Sequence, residues 1–356
     1  MKKLKLAIIG QGRSGRNIHG AFLRGEKNTL WEVAYVVEAD DSRRTRALED
    51  YPGCQAFADY RELFDTNVDL VVNASYSEMH YPITKDLLVH GKNVLVEKPM
   101  GRSHYECEDL IRTAKEMGVT LAVFQQSFLA PFYPFTKEVI RSGKIGTPVQ
   151  ISIHYNGFSR RWDWQTLQKK CAGGAYNTGP HPIGLALGLL DFDKEARVVY
   201  SKLYSSPLTS GDSDDYAKIL ITAPCRPLVD IEVSSLDAYP SYNIKIQGTR
   251  GTYETTIGAY KMTYITEGEN PEKPVTDTFI QDENGYPCYC SEKLIKHTEE
   301  GTHNGDAFGI AVEDFYTQLY HKIKDGTPMT ITPEMAMRVI SIIETAHAEN
   351  PLPVKF

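Results

Sequence analysis

The sequence has no long hydrophobic run, no excess of basic residues and no cysteine pattern typical of a metal site. No run approaches the eighteen or more apolar residues that cross a bilayer, so we expect no membrane contact. The lysines at the start resemble the charged region of a signal peptide. The apolar stretch after them, Leu4–Ile9, is only six residues long and ends in glycines. Because a signal peptide needs a longer apolar region, we expect a cytoplasmic protein.

The charge and the cysteines exclude two further classes of function. The net charge of −7 gives no support for a nucleic-acid surface, which is usually basic. The arginine clusters at 43–46 and 160–161 are too short to follow a polyanion. The six cysteines are scattered, and only Cys288 and Cys290 are close, without the spacing of a zinc site. We therefore expect reduced cysteines, no bound metal and no nucleic-acid partner.

The 356 residues are enough for two domains with ample cores. Residues 1–124 alternate strand and helix patterns, which predicts an N-terminal Rossmann domain with a doubly wound parallel sheet. In residues 125–356, strand-like runs joined by turn residues predict a C-terminal α/β domain. Its large, mostly antiparallel sheet is expected to be open on one face. Residues 267–304 are expected to be a loop with at most one short helix. The predicted fold class is therefore α/β.

Three glycines directly follow the first predicted strand and precede a helical pattern. Gly10 permits a tight turn, Gly12 lets the backbone approach a pyrophosphate, and Gly15 lets helix and strand pack closely. The first helical residues, Arg13 and Ser14, lie where free N–H groups and the helix dipole favour phosphates. This context predicts a dinucleotide-binding loop.

An acid after the second predicted strand bears on the choice of nucleotide. Glu38 lies 23 residues beyond Gly15, close to the spacing of roughly 20 at which an acid binds the adenosine ribose. A carboxylate there accepts hydrogen bonds from the ribose and repels a 2′-phosphate, which favours NAD. Arg43 and Arg44 follow closely and are suited to a 2′-phosphate, so NADP remains the less favoured alternative. The acids are also consistent with helix capping, to which Asp40 or Asp41 is suited.

A lysine follows the strand predicted at 93–97. Ligands of open α/β sheets bind at the carboxyl ends of strands, which is where Lys98 lies. Burial disfavours the ammonium form, so a lysine there is costly unless it is paired or functional. Pro99 fixes the turn and biases Lys98 toward extended backbone. Taken alone, Lys98 also fits a solvated surface lysine.

Together with the glycine loop, the segment from Val68 through His80 to Glu97-Lys98-Pro99 closely resembles the Gfo/Idh/MocA oxidoreductase family. That family includes glucose–fructose oxidoreductase and inositol dehydrogenases. The resemblance spans nearly the whole chain and is strongest at 4–131 and 171–190. It implies that Lys98 contacts both substrate and nicotinamide ribose, and that the open sheet joins copies into a homo-oligomer. It places further nucleotide contacts at Ala74, Ser75, Tyr76, His80, Glu97 and Gln126.

The segment Gly173–His181 matches the family's glycine-led segment, which ends in an acid, three residues and a catalytic histidine. The match implies that His181 is the general base. The family's acid is replaced by Asn177, whose amide orients an imidazole or substrate without stabilising an imidazolium by charge. If the turn between them is helical, residues 177 and 181 share a face. Pro180 lacks an N–H, which predicts a helix break near Thr178.

The resemblance implies hydride transfer between NAD and a sugar, polyol or glycoside, with Lys98 stabilising negative charge on the oxygen. The cluster at 160–165 offers aromatic faces and forked donors for a hydroxylated ring, although its tryptophans also fit a core or an interface. The predicted substrate contacts are Lys98, Phe128, Arg160, Trp162, Asp163, Asn177, Thr178 and His181. Two alternatives stay open: a glycosidase-like cycle on retained NAD, and a non-catalytic sensor, which would lack the lysine or histidine.

Overall fold

The computed structural model describes residues 3–356, so the first two residues of the predicted first domain lie outside the described part. The chain begins with a parallel sheet of six strands in the order β3-β2-β1-β4-β5-β6. These strands are β1 (Leu4–Ile9), β2 (Trp31–Val37), β3 (Gln55–Phe57), β4 (Leu70–Asn73), β5 (Val94–Val96) and β6 (Leu121–Val123). The strand order reverses between β1 and β4, where doubly wound sheets bind nucleotides. The predicted Rossmann domain is confirmed.

Helices connect these strands and cover the sheet. The first is a π-helical stretch, Arg13–His19, continued by an α-helix, α1 (Gly20–Arg24). The others are α2 (Asp41–Asp50), α3 (His80–Val89) and α4 (His104–Met117). Asp40 caps α2 by accepting from the Arg43 N–H, and Gly118 ends α4 in a left-handed conformation. Within residues 3–356, no helix has the length and apolarity needed to cross a membrane.

Helix α5 (Phe132–Ser142) leads into a second sheet of eight strands, in the order β16-β13-β12-β11-β7-β10-β9-β8. All neighbours are antiparallel except β7 and β10. The strands are β7 (Pro148–Asn156), β8 (Arg197–Tyr204), β9 (Tyr216–Thr222), β10 (Leu228–Ser234), β11 (Ile244–Gly248), β12 (Gly251–Thr255), β13 (Ala259–Tyr264) and β16 (His297–Thr302). The expectation for 267–304 was wrong in part: this stretch holds β16 and a small hairpin, β14 (Ile280–Gln281) with β15 (Pro287–Cys288).

One face of the second sheet is covered and the other is open. Alternate side chains such as Ile153 and Ile231 are buried beneath helix α7 (Pro180–Leu189). The outer face carries Tyr200 and Tyr204, which are about half exposed. This alternation is typical of an antiparallel sheet with one solvated face. Assembly into a homo-oligomer through this face stays a prediction.

The last two long helices, α8 (Ala307–Asp325) and α9 (Pro333–Glu349), return to the first domain. The Trp31 indole N–H donates to the Tyr316 carbonyl at 3.3 Å, and the Tyr316 hydroxyl lies 2.8 Å from His19 Nδ1. On α9, the Glu344 carboxylate accepts from the His104 N–H at 2.9 Å. The end of the predicted second domain therefore completes the packing of the first and fixes the cleft between them.

Candidate active site

A cleft of about 920 Å³ lies at the carboxyl ends of the first sheet's strands and faces the second domain. It brings together most of the predicted site residues from distant parts of the chain. Those on the nucleotide-domain side are Gly10, Gly12, Arg13, Ser14, Glu38, Arg43, Ala74, Ser75, Tyr76, His80, Glu97 and Lys98. Asp163 and Asn177 line it from the second domain.

The glycine loop has two packed positions and one open position. A Cβ on Gly10, which has a φ of 87°, would lie 2.6 Å from the Ala74 carbonyl oxygen. A Cβ on Gly15 would lie 1.8 Å from the Gly10 oxygen, so Gly15 packs beneath the loop and does not line the cleft. At Gly12 nothing lies within 4 Å of the added Cβ. The loop therefore fits a pyrophosphate held over the start of the following helix.

This geometry predicts opposite effects for two similar substitutions. Gly15→Ala forces the loop away from the helix and is expected to cost about 1–3 kcal/mol of unfolding free energy or more. Gly12→Ala is expected to change stability by less than about 0.5 kcal/mol, because its methyl meets no atom. That methyl occupies the phosphate space, so we expect at least about a tenfold loss of nucleotide affinity. Urea unfolding and nucleotide titration measure both effects. Equal stability of the two variants would contradict this account of the loop.

Glu38 ties the glycine loop to the end of β2. Its Oε2 accepts from the Gln11 N–H at 2.8 Å, and its Oε1 accepts from the Asp40 N–H at 3.0 Å. Arg44 donates to the Glu38 carbonyl, which turns its guanidinium toward the backbone. Arg43 remains beside the cleft with its Nη1 3.9 Å from the Glu38 carboxylate. A carboxylate and one arginine therefore stand together where the nucleotide ribose is expected.

Lys98 reaches across the cleft from the end of β5. Its Nζ donates to the Asn177 carbonyl at 2.6 Å, and the peptide bond to Pro99 is cis. Burial lowers the pKa of Lys98, Glu97 opposes this, and the charges of Arg13 and Arg161 lower it further. The ammonium therefore lies between the buried Glu97 carboxylate and the charges of two arginines, and its free N–H groups are suited to a partly negative oxygen in the cleft.

Glu97 and His80 make buried polar contacts to the backbone around Lys98. Glu97 lies 3.2 Å from His19 Nε2, and its other oxygen accepts from the Lys98 N–H at 3.1 Å. Burial raises the pKa of Glu97, but His19 and Lys98 outweigh it and bring the value to about 2. His80 has one ring nitrogen 2.7 Å from the Pro99 carbonyl oxygen, and the other 3.2 Å from the Ser75 carbonyl. The backbone around Lys98 is therefore fixed by buried polar contacts.

His181 lies in the first turn of α7, close to Lys98. Its Nδ1 is 3.2 Å from the Ser127 hydroxyl, and its ring lies nearly parallel to Tyr155 with centroids 6.4 Å apart. Burial lowers the pKa of His181 to about 3, and the Lys98 charge contributes to the shift. The imidazole is therefore neutral at ordinary pH, and one of its two ring nitrogens is able to accept a proton.

The chain breaks between Asn177 and His181, as predicted. Helix α6 (Gly174–Asn177) ends, and α7 begins at Pro180, where a missing N–H costs nothing. The two residues do not share one helical face, and the Asn177 Nδ2 donates to the Gln165 carbonyl at 2.8 Å. This contact corrects the expectation that the Asn177 amide orients the imidazole, whereas a contact of Asn177 with the substrate stays a prediction. Asn177 instead joins Lys98 to the loop after β7.

Some predicted substrate contacts, His181 among them, do not line the cleft. Trp162 is 76% exposed and Arg160 is exposed, and neither lines it. Gln126 and Phe128 are buried in the short helical turn Gln126–Leu129, where Phe128 packs against Tyr133. Thr178 lines a smaller neighbouring cavity. The residues from this loop that do line the cleft, besides Asp163, are Arg161, Trp164 and Gln165.

The sequence reasoning missed several neighbours of the site. Ser127 and Tyr155 lie beside His181, and Arg61 lines the cleft. No local pattern in the sequence marks these three residues, because packing between distant segments brings them to the site. Trp164, which belongs to the predicted cluster at 160–165, meets the Tyr76 ring edge-on at 5.0 Å.

The fold and the cleft define a class of protein, a two-domain enzyme that binds a dinucleotide at its first sheet. Within residues 3–356 no cluster of histidine, cysteine and acidic residues is suited to a metal ion. A family model described as the oxidoreductase family with an NAD-binding Rossmann fold matches residues 4–125. The GFO/IDH/MocA C-terminal domain matches residues 135–254. The chain belongs to the Gfo/Idh/MocA family of oxidoreductases, which confirms the resemblance and the enzyme class.

Three relatives illustrate the range of the family. The scyllo-inositol 2-dehydrogenase (NADP(+)) IolW of Bacillus subtilis is 23% identical, over 96% of this chain and 92% of its own. The 2,7-anhydro-N-acetylneuraminate hydratase of Mediterraneibacter gnavus is 24% identical, over 81% of this chain and 77% of its own. The solved NAD-binding protein of Listeria innocua has a TM-score of 0.79 at 20% identity, with 98% of both chains covered. That last likeness is one of fold.

Proposed function

We propose that this protein is an NAD-dependent dehydrogenase that transfers a hydride between the nicotinamide and a secondary hydroxyl of a sugar, polyol or glycoside. One observation carries the proposal: the Lys98 ammonium reaches from the first domain to the Asn177 carbonyl, four residues before His181, and its charge lowers the imidazole pKa. Lys98 lines the cleft, and His181 lies against Ser127 and Tyr155 without lining it. An ammonium and a neutral imidazole within electrostatic range of each other are the groups that alcohol oxidation requires.

The proposed mechanism follows from the two side chains. The Lys98 ammonium donates a hydrogen bond to the substrate oxygen and stabilises the negative charge that develops on it. His181 takes the hydroxyl proton as the carbon loses hydride, and it returns a proton in the reverse direction. A bound nicotinamide supplies the hydride chemistry. Because Lys98 already donates to the Asn177 carbonyl, a substrate hydroxyl exchanges one hydrogen bond for another.

The substrate class is supported by the second-domain wall of the cleft. Arg161, Asp163 and Gln165 offer forked donors and acceptors, and Trp164 offers an aromatic face. Such a mixture suits a ring with several hydroxyl groups. The relative from Bacillus subtilis is named for scyllo-inositol, a compound of this kind. Together these features favour a carbohydrate or cyclitol as the substrate.

The test incubates the purified chain with NAD and a panel of polyols, sugars and glycosides. Reduced nicotinamide is followed by absorbance, and the organic product is identified in the same sample. We expect at least one member of the panel to give equal amounts of reduced nicotinamide and ketone. A panel that yields neither from any polyhydroxylated ring would overturn the proposed substrate class.

The relative IolW is named for NADP(+), so the comparisons do not favour NAD. The choice of NAD over NADP therefore rests on Glu38. Glu38→Ala removes the carboxylate that repels a 2′-phosphate and leaves Arg43 beside the cleft. We expect the ratio of NAD to NADP affinity to fall by about tenfold or more. Arg43→Ala is the matched variant and is expected to move the ratio in the opposite direction. Dissociation constants for both nucleotides measure the change, and a shift of the same sign in both variants would contradict it.

A second candidate is favoured by the relative named as a hydratase. In such a cycle the substrate carbinol is oxidised to a ketone, and the neighbouring C–H becomes acidic. Loss of that proton expels the glycosidic oxygen, which takes up a proton as it leaves, and an unsaturated ketone remains. Water adds across its C=C bond, and hydride returned from the reduced nicotinamide restores the alcohol. Lys98 and His181 serve the oxidation step in either reaction. Product formation without accumulation of reduced nicotinamide would favour this candidate over a simple dehydrogenase.

A further inference from the structure

A second cavity, of about 230 Å³, lies beside the cleft on the second-domain side. We call it the side cavity. It is bounded by the ends of the parallel strands β7 and β10, at Asn156 and Ser234, and by residues 209–215 of the loop before β9. Three residues, Arg161, Gln165 and Asn177, line both the cleft and the side cavity. The side cavity is therefore the continuation of the catalytic cleft past Asn177.

The walls of the side cavity carry oxygen atoms without protein partners. Within the described residues, Asn156 Oδ1, Thr209 Oγ1 and Ser213 Oγ are buried and have no hydrogen-bond partner. The Asn156 amide is fixed, because its Nδ2 donates to Glu232 and Asp237. Rotation about χ1 turns the two hydroxyls among their staggered positions. Buried polar atoms are normally paired, so several unpaired ones around one cavity indicate a polar ligand.

The loop that carries two of these oxygens is held firmly. The Ser210 N–H donates to the Arg161 carbonyl at 2.9 Å. The N–H groups of Asp212 and Ser213 both donate to the Thr166 carbonyl, at 3.0 and 3.1 Å. These bonds join the loop to the same segment that lines the cleft. Thr209 and Ser213 are therefore positioned by the fold and are suited to a specific contact.

The charges around the side cavity disfavour an anion. Asp214 and Asp215 both line it, and the Asp214 side chain is fully buried. Asp214 Oδ2 accepts from the Ala175 N–H at 2.7 Å, and its Oδ1 lies 3.8 Å from His347 Nε2. Burial raises the pKa of Asp214 to about 7, so the negative charge here comes chiefly from Asp215 and from Glu232 and Asp237, which accept from the Asn156 amide at the wall. Among the described residues that line the cavity, Arg161 is the one cationic side chain, and its Nη2 donates to Asp163 and Gln165.

We propose that the side cavity binds the hydroxyl groups of a neutral polyhydroxylated ring and selects against rings that carry a carboxylate or phosphate there. Thr209, Ser213 and Asn156 are the specificity-determining residues, and the oxidised carbon stays at Lys98 and His181. The inference rests on the proposed function and adds the selection of neutral substrates. It separates this chain from a relative named for 2,7-anhydro-N-acetylneuraminate, a sugar that carries a carboxylate.

The test measures binding by calorimetry on the full chain saturated with NAD, with a parallel series in NADP. The probes are scyllo-inositol and D-glucose as neutral rings, and D-glucuronate as the acidic partner of glucose. We expect a neutral ring to bind and glucuronate to bind at least about tenfold more weakly than glucose. The variant Thr209→Val with Ser213→Ala is expected to lose about three- to tenfold in affinity per hydroxyl. Thr263→Val, on the exposed surface of β13, is the control and is expected to bind normally.

Three results overturn the proposal: no neutral ring binds, glucuronate binds as tightly as glucose, or the double variant binds as the wild type does. Thermal melting checks that the variant is folded. Binding and turnover separate the two proposals. A chain that binds neutral rings as expected and never reduces the nucleotide supports the side cavity and overturns the dehydrogenase. If the wild type turns over substrate and the double variant binds neutral rings as the wild type does, the dehydrogenase is supported and the role of the side cavity is overturned.

Discussion

Replacing Lys98 with methionine is expected to lower turnover about a thousandfold while nucleotide affinity changes by less than about tenfold. Methionine keeps a long side chain of similar shape but removes the ammonium that we propose contacts the substrate oxygen. The loss is large because a charge fixed in advance in a partly buried site needs no reorganisation during the reaction. Steady-state rates with the best substrate of the panel and a nucleotide titration measure the two effects.

Lys92 provides the matched control for this variant. Lys92 precedes β5, the strand that Lys98 follows, and it is buried. Its Nζ donates to the Thr66 carbonyl at 2.8 Å, away from the cleft. Lys92→Met is expected to alter the free energy of unfolding and leave the rate per folded molecule unchanged. Normal turnover in Lys98→Met would remove this lysine from the mechanism. Equal losses of rate in both variants would show that general damage to the domain is responsible.

The nucleotide-binding part of the fold is predictable because its signals are local. Parallel strands covered on both faces consist largely of apolar residues: residues 6–9 and 70–72 include no polar residue. The glycine loop and Lys98 follow directly from the ends of such strands. Their positions in the chain therefore determine their positions at the sheet edge, and the cleft is built from them.

The outer strands of the second sheet have no comparable signal. In β16 (His297–Thr302) no side chain is fully buried, and its sequence is polar. In β13 only Met262 is buried. These strands are defined by their pairing with each other, as between Met262 and Glu299. A tertiary pairing between an exposed edge strand and its polar neighbour leaves no periodic pattern for sequence reasoning to find.

The substrate side of the site depends on contacts between distant segments. The loop after β7 turns Arg161 and Trp164 inward because Gln165 is bound by Asn177. Its neighbour Trp162 faces solvent. Nothing in the spacing at 160–165 distinguishes side chains that face the cleft from those that face solvent. The contact that orients this loop comes from Asn177, twelve positions after Gln165. The same holds for Ser127 and Tyr155, which reach His181 only through packing.

His181→Gln is expected to lower the rate of alcohol oxidation by about two to four orders of magnitude. Glutamine keeps a polar side chain near Ser127 but cannot accept the substrate proton. His154 provides a control, because it lies on the second sheet and stacks on Tyr242 with centroids 4.8 Å apart. His154→Gln is expected to keep the wild-type rate. Near-normal oxidation by His181→Gln would assign the proton to another group.

The pH dependence tests the same residue independently. Because burial and the Lys98 charge lower the pKa of His181 from 6.5 to about 3, its imidazole is already neutral at pH 5. We therefore expect no acid limb near pH 6.5 in kcat/KM for oxidation. Between about pH 6.5 and 3, His181 is protonated in the unfolded chain but not in the folded one. Proton binding therefore favours the unfolded chain, and the free energy of unfolding decreases as the pH falls through this range. Urea unfolding at pH 7 and pH 5 should consequently show a smaller loss in His181→Gln than in the wild type. An acid limb near pH 6.5 that disappears in the variant would contradict this account. It would mean that the His181 imidazole titrates as an exposed histidine, away from the Lys98 charge.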